Sequence, residues 1–164
     1  MKRVYDAAGS GGHSTLPTGL EALARAGFLL RSGRLFLAKP EHTSSPPQDM
    51  NDWEAERWVN KVHLHTATPS TDDRWRAELL ATGLELARRL LSEATPLTDL
   101  PVQAILGLQS SADDVDPEID FAAGSLHVYA VRSADDDLAA SIEGFAQPCL
   151  TLTDRRDRSG HSSN

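Results

Sequence analysis

Five side chains of the types that carry out acid–base or metal chemistry fall at alternate positions in two short segments. Lys61, His63 and His65 alternate in the first segment, and His127 and Tyr129 alternate in the second. Neighbouring imidazoles can bind zinc or iron, and a neutral His beside a Tyr can accept and donate protons near neutral pH. We therefore take all five residues as a candidate ligand-binding set, with the three histidines as a candidate metal-binding set. No residue is assigned a catalytic role.

Both segments have the period-two pattern of a half-buried β-strand. Apolar and polar side chains alternate over residues 59–66, and they do so again over residues 126–131. Successive side chains of a strand point to opposite faces, so each strand would turn its candidate residues to one face and its aliphatic residues to the other. Two further strands are predicted at residues 102–109 and 149–153.

Helices are predicted between these strands. The first runs from about Asp72 to Ala94, with apolar residues every three or four positions, and Pro96 ends it. The second begins with the acidic run 135–137, whose carboxylates suit a helix N-terminus, and continues to about Phe145.

The order strand, helix, strand, strand, helix, strand predicts an α+β domain of the ferredoxin-like class over residues 50–155. In this split βαβ arrangement (βαββαβ), two helices cover one face of a four-stranded antiparallel sheet, and the first and third strands are neighbours. The five candidate residues would then meet on the open sheet face. Two other interpretations of that face stay open. It is either an ordinary solvated surface or a homodimer interface marked by Ile105, Tyr129 and Val131.

The N-terminal residues 1–49 are predicted to form a flexible extension with a short helix and a hairpin at residues 18–37. Leucine and alanine spacing indicates a helix that Gly27 closes, and the apolar residues after it indicate two short strands. The proline-rich segment 39–47 predicts a connector and a domain boundary. Residues 156–164 are predicted to be a disordered tail.

Charge is distributed unevenly along the chain. Residues 51–155 carry 19 Asp and Glu against 8 Lys and Arg, a net charge of −11, whereas the whole chain has −8. Such an acidic body repels phosphate backbones, so nucleic-acid binding is disfavoured and a basic protein partner is favoured. Acidic runs also serve as solvated caps and loops, and that interpretation stays open.

Composition predicts the compartment and the source of the protein. No apolar run approaches the roughly 18–20 residues of a membrane helix, and the start of the chain lacks the apolar stretch of a signal peptide. The single cysteine, Cys149, fits a reducing compartment. We therefore expect a soluble cytoplasmic protein, and the 13 Arg against 3 Lys are typical of a GC-rich bacterial genome.

No motif in the chain fixes a reaction, so two functional hypotheses follow. The first is a small acidic binding or regulatory module, dimeric, that acts through protein–protein interaction as an inhibitor, antitoxin or immunity-type protein does. The alternative is a small ferredoxin-like enzyme or ligand-binding protein that uses the His/Tyr face.

Overall fold

The computed structural model describes residues 15–38, 49–65, 74–109, 123–138 and 149–154. These ranges contain three α-helices and two antiparallel sheets of two and four strands. The helices are α1 (Thr18–Ala26), α2 (Asp52–Val59) and α3 (Arg74–Ala94). The strands are β1 (Phe28–Arg31), β2 (Arg34–Leu37), β3 (Val62–His65), β4 (Val102–Gln109), β5 (Ala123–Ala130) and β6 (Cys149–Asp154). None of these helices has the length and apolar content that a membrane crossing requires.

The larger sheet has the strand order β3-β5-β4-β6, and every neighbouring pair is antiparallel. The predicted four-stranded antiparallel sheet and the pairing of its first and third strands, β3 and β5, are thus confirmed. The ferredoxin-like strand order is not confirmed. That class places the last strand beside the first, whereas β6 pairs with β4 at the opposite edge.

Helix α3 covers one face of this sheet and contributes more residues to the core than any other single element of the described residues. Its buried leucines pack against the aliphatic face of the strands, which includes Leu64 and Leu106. The helix and the sheet are in close contact at Gly83, where an added Cβ atom would lie 2.6 Å from the Leu106 side chain. A glycine at this position therefore allows the helix to sit close to the sheet.

The predicted N-terminal helix and hairpin are present as α1, β1 and β2. The hairpin turn has positive φ at both central residues, Ser32 (51°) and Gly33 (78°), as the two-residue turns of twisted hairpins require. Leu35 and Leu37 of β2 are buried in the same core as α3. The predicted boundary at residues 39–47 lies largely outside the described residues and stays a prediction.

Helix α2 is an element that the sequence analysis does not predict. The strand predicted over residues 59–66 is shorter in the structure, because Val59 is the last residue of α2 and β3 begins at Val62. A capping box starts the helix: the Asn51 side chain accepts a hydrogen bond from the Glu54 N–H, and the Glu54 carboxylate accepts one from the Asn51 N–H. This reciprocal cap favours helix over strand at residues 52–59.

The predicted second helix of the domain differs at its start. Residues Ala134–Asp136 form one 3-10 turn, and residues 139–148, including Phe145, lie outside the described residues. The Asp136 carboxylate accepts hydrogen bonds from the N–H groups of Arg132 and Ser133. The acidic run therefore begins with a capped turn, and α3 is the helix that the described residues place on the aliphatic face of the sheet.

Candidate functional site

The face of the sheet opposite α3 is built from alternate residues of the four strands. Across the sheet, Tyr129 is opposite Gln103, and His127 is opposite Ile105. His63 is opposite Ser125. Strand β3 pairs only with the first half of β5, residues 123–126. Consequently His127 and Tyr129 lie beyond the end of β3, and the five candidate residues divide between two ends of the face.

Tyr129 is fully buried at one end, which we call the covered end. Its hydroxyl donates a hydrogen bond to Gln103 Oε1 at 2.7 Å, and Gln103 Nε2 donates to Asp137 Oδ1. The ring of Trp53, on α2, packs against the Tyr129 ring at 6.1 Å between centroids. Burial raises the pKa of Tyr129 to about 12. The phenol is thus a neutral structural donor, withdrawn from solvent.

His127 is held beside the same helix. Its Nδ1 lies 3.0 Å from the carbonyl oxygen of Arg57, so Nδ1 carries the proton and donates it to this acceptor. Burial lowers the pKa of His127, and the positive charges of Arg57 and Lys61 lower it further, while the Arg57 carbonyl acts in the opposite direction. A neutral imidazole with a fixed tautomer results.

His63 and His65 occupy the other end of the face, which we call the open end. Both are exposed on β3, and their rings stack at 6.4 Å between centroids with an interplanar angle of 13°. Lys61, also exposed, precedes this strand. Among the described residues, no three His, Cys, Asp or Glu side chains come together as a metal site, so the structure does not gather His63, His65 and His127 into one.

The predicted dimer face is also covered in part. Ile105 and Tyr129 are both buried, and Val131 lies just beyond β5, where its N–H donates to the carbonyl oxygen of Pro101. Cys149 begins an edge strand, and burial raises the pKa of its thiol, which disfavours the nucleophilic thiolate.

A buried polar cluster, missed by the sequence analysis, fixes α2 between β2 and β5. Glu56 of α2 and Asn60, the residue that caps the C-terminal end of this helix, are both fully buried. The Glu56 carboxylate accepts hydrogen bonds from the N–H groups of Leu35 and Ala130, at 2.6 and 2.7 Å. These side chains supply hydrogen bonds that a neighbouring strand would otherwise provide.

The Asn60 amide completes this pairing on both sides. It accepts from the N–H of Leu37 at 2.8 Å, and it donates to the carbonyl oxygens of Leu35 and Val128 at 2.8 and 2.9 Å. In the sequence, a Glu on a short helix and an Asn four residues later, at the end of that helix, look like parts of a solvated face. The partners that make them buried are 21 to 74 residues away, so no local pattern indicates them.

Arg132 neutralises the buried carboxylate of this cluster. Its guanidinium contacts Glu56 Oε1 at 2.6 Å and also donates to the carbonyl oxygens of Gly33 and Ala130. Burial alone would lower the pKa of Arg132, but hydrogen bonding and the charge of Glu56 raise it. We call Glu56, Asn60 and Arg132 the hairpin junction, because they connect the hairpin to the larger sheet.

Two acidic segments join the sheet at its open end. Strand β3 ends at His65 and β4 ends at Gln109, while β5 begins at Ala123, and these three residues are adjacent in the pairing register. Residues 66–73 follow β3, and residues 110–122 connect β4 to β5. Together these two segments contain seven Asp and Glu and no Lys or Arg.

No known protein family matches the chain, and neither a curated protein nor a solved structure matches it at a significant level. Geometry and charge are therefore the basis for a functional interpretation.

Proposed function

We propose that the chain is a small acidic module that binds a basic protein partner at the open end of its sheet. The observation that carries this proposal is the attachment of residues 66–73 and 110–122 at that end. Their seven acidic residues, with no basic residue, nearly equal the net charge of −8 of the whole chain. A concentration of one sign of charge steers an oppositely charged partner and favours its association.

The ion pairs of the described elements support the same proposal. Arg89 contacts both Glu21 and Glu85, and Arg132 contacts Glu56. These carboxylates are therefore compensated within the fold. The two segments at the open end, by contrast, contain no Lys or Arg that could pair with their seven acidic residues from within the same segment.

Several finer properties belong to this proposal. The module would act in the bacterial cytoplasm as an inhibitor, antitoxin or immunity-type protein does, and nucleic acid is a disfavoured partner because of the charge. A relation to the ferredoxin-like class is also proposed. It is supported by the position of β5 between β3 and β4, the two strands that α3 connects.

A charge-matched pair of variants tests the proposal. The test variant changes Asp113, Asp114 and Asp116 to Asn, which removes three negative charges from the segment between β4 and β5. The control variant changes three exposed acids of the described elements by the same charge: Glu78→Gln, Glu93→Gln and Asp135→Asn. Each protein is immobilised, exposed to extract of its native cells, and washed at increasing salt.

We expect wild type and the control to retain the same basic protein, which is released as salt rises from about 50 to 500 mM because screening removes the attraction. The Asp113/Asp114/Asp116 variant should retain at least about tenfold less of it. Equal retention by both variants, or retention that does not respond to salt, contradicts the proposal.

The alternative is a small ferredoxin-like enzyme or ligand-binding protein, and the geometry reduces the number of residues available for its site. It would use His63 and His65, because His127 and Tyr129 are held by hydrogen bonds at the covered end. The stacked, exposed pair of rings favours this alternative. Calorimetric titration with zinc tests its metal-binding form: binding that is lost in His63→Ala and His65→Ala supports the alternative, and no binding by wild type rejects zinc as the ligand of this pair.

A further inference from the structure

The hairpin has two edges with opposite properties. On the β2 edge, the N–H and C=O of Leu35 and the N–H of Leu37 bond to the side chains of Glu56 and Asn60. Leu30 pairs with Leu35 and Phe28 with Leu37. The paired residues of an antiparallel ladder both point their polar groups inward or both point them outward. The main-chain groups of Phe28 and Leu30 therefore point away from the hairpin, along the β1 edge.

The β1 edge has no neighbouring strand among the described residues. The two-stranded sheet consists of β1 and β2, and no hydrogen bond in the described part of the chain uses the outward groups of Leu30. Unpaired N–H and C=O groups along an edge form a template for another strand.

The side chains of this edge strand are unusually apolar for their exposure. Leu29 is 44% exposed and Leu30 is 49% exposed, on opposite faces of the same strand. The described residues contain two other large exposed hydrophobic side chains, Trp58 and Leu97, and neither of them is in a strand. The exposed large hydrophobic side chains of the described strands thus lie on the same strand as the unpaired β1 edge. Natural edge strands usually avoid this combination.

We propose that β1 pairs with β1 of a second copy of this chain, which joins the two hairpins into one four-stranded antiparallel sheet. The register follows from the outward groups. Phe28 bonds to Leu30 of the second copy, and Leu30 bonds to its Phe28, so Leu29 lies opposite the second copy's Leu29 on the two-fold axis. This register gives two bonded pairs and about four main-chain hydrogen bonds across the interface.

Charge complementarity favours a second copy as the occupant. In this register Arg31 lies opposite Gly27 of the second copy, which is the residue that caps the C-terminal end of α1. Two Arg31 side chains are thus kept apart, and each approaches the negative end of a helix dipole. Arg25, near the same helix end, is already paired with Glu21 at 3.2 Å. The inference concerns self-association and does not depend on a basic partner.

A charge swap at the two-fold axis tests both the dimer and its register. The full-length proteins are wild type, Leu29→Glu, Leu29→Lys and the control Leu97→Glu, whose side chain is 36% exposed and lies outside the strands. Each is studied by sedimentation equilibrium over a roughly hundredfold range of concentration. Far-UV circular dichroism and thermal unfolding establish that every variant is folded.

Wild type and Leu97→Glu should approach twice the chain mass of 17.8 kDa as concentration rises. Each Leu29 variant should dimerise at least about tenfold more weakly, because like charges then face each other across the axis. An equimolar mixture of the two Leu29 variants should recover the dimer, because Glu then faces Lys. A monomeric wild type, an unweakened Leu29→Glu dimer, or a mixture no stronger than its components would each overturn the proposal.

Discussion

The covered and open ends of the sheet face opposite α3 carry similar residues in the same alternating pattern, yet their environments are opposite. Tyr129 at the covered end is fully buried and bonded to Gln103, whereas His63 and His65 at the open end are exposed. The difference comes from α2, which contacts the covered end through Trp53 and Arg57. A side chain's position on a strand thus fixes its face, but the next layer determines whether that face meets water.

The largest expected effect comes from breaking the support of the covered end. Glu56→Ala removes the buried carboxylate that pairs with the half-buried guanidinium of Arg132, and it removes the acceptor for the N–H groups of Leu35 and Ala130. We expect a loss of about 3–5 kcal/mol in the free energy of unfolding, measured by urea denaturation. The control Glu78→Ala, at an exposed position of α3, should change it by less than about 0.5 kcal/mol. Equal effects would mean that the junction does not anchor α2.

A second, smaller effect is expected at Tyr129. The change Tyr129→Phe keeps the ring but leaves Gln103 Oε1 without the hydroxyl donor, which should cost about 1–3 kcal/mol by urea denaturation. The matched change at the other aromatic position of β5, His127→Phe, also removes a hydrogen bond and so is not a control. The appropriate control is His65→Phe at the open end, which should leave the free energy of unfolding nearly unchanged.

The pH dependence of stability gives an independent measurement of the burial of Tyr129. The folded pKa of about 12 exceeds the ordinary value of 10, so folding favours the neutral phenol. This contribution is complete below pH 10 and is lost as the pH rises from 10 through 12. The stability of wild type should therefore fall more steeply over that window than the stability of Tyr129→Phe. Parallel curves for the two proteins would show that the phenol is not buried as described.

His127 should give an effect of the opposite sign at acidic pH. Burial lowers its folded pKa, so the unfolded chain binds the proton more readily. The contribution is complete above the ordinary value of 6.5 and decreases as the pH falls below it. The variant His127→Asn can still donate to the Arg57 carbonyl but does not titrate. Its stability should therefore change less than that of wild type between about pH 7 and pH 5.

Local sequence patterns predict much of the fold, but they do not predict the environment of the candidate site on the sheet face. The alternation around His63 and His127 correctly predicts two strands, and the stripe of α3 correctly predicts the covering helix. These signals are short-range, because each depends on the period of one element. The position of β6 beside β4 and the burial of Tyr129 depend on tertiary packing, which has no local signature.

Helix α2 has a start signal in the sequence, but its burial has none. The capping box of Asn51 and Glu54 is a local start signal for a helix, and a helix there places the beginning of β3 at Val62 instead of Val59. What no pattern indicates is that Glu56 and Asn60 turn inward. Buried Glu is rare without a partner, and its partner Arg132 is 76 residues away.

The smallest expected effect tests the open end directly. If His63 and His65 contribute only to a solvated surface, then each change to Ala should alter the free energy of unfolding by less than about 0.5 kcal/mol, because little packing is lost at an exposed position. In the double variant the two changes in the free energy of unfolding should sum, with a small deviation from additivity because the two rings stack. Urea denaturation of the single and double variants measures both quantities. A loss above about 1 kcal/mol for either single change would mean that a covering layer exists at this end as well, and the two ends would then differ only in which segment covers them.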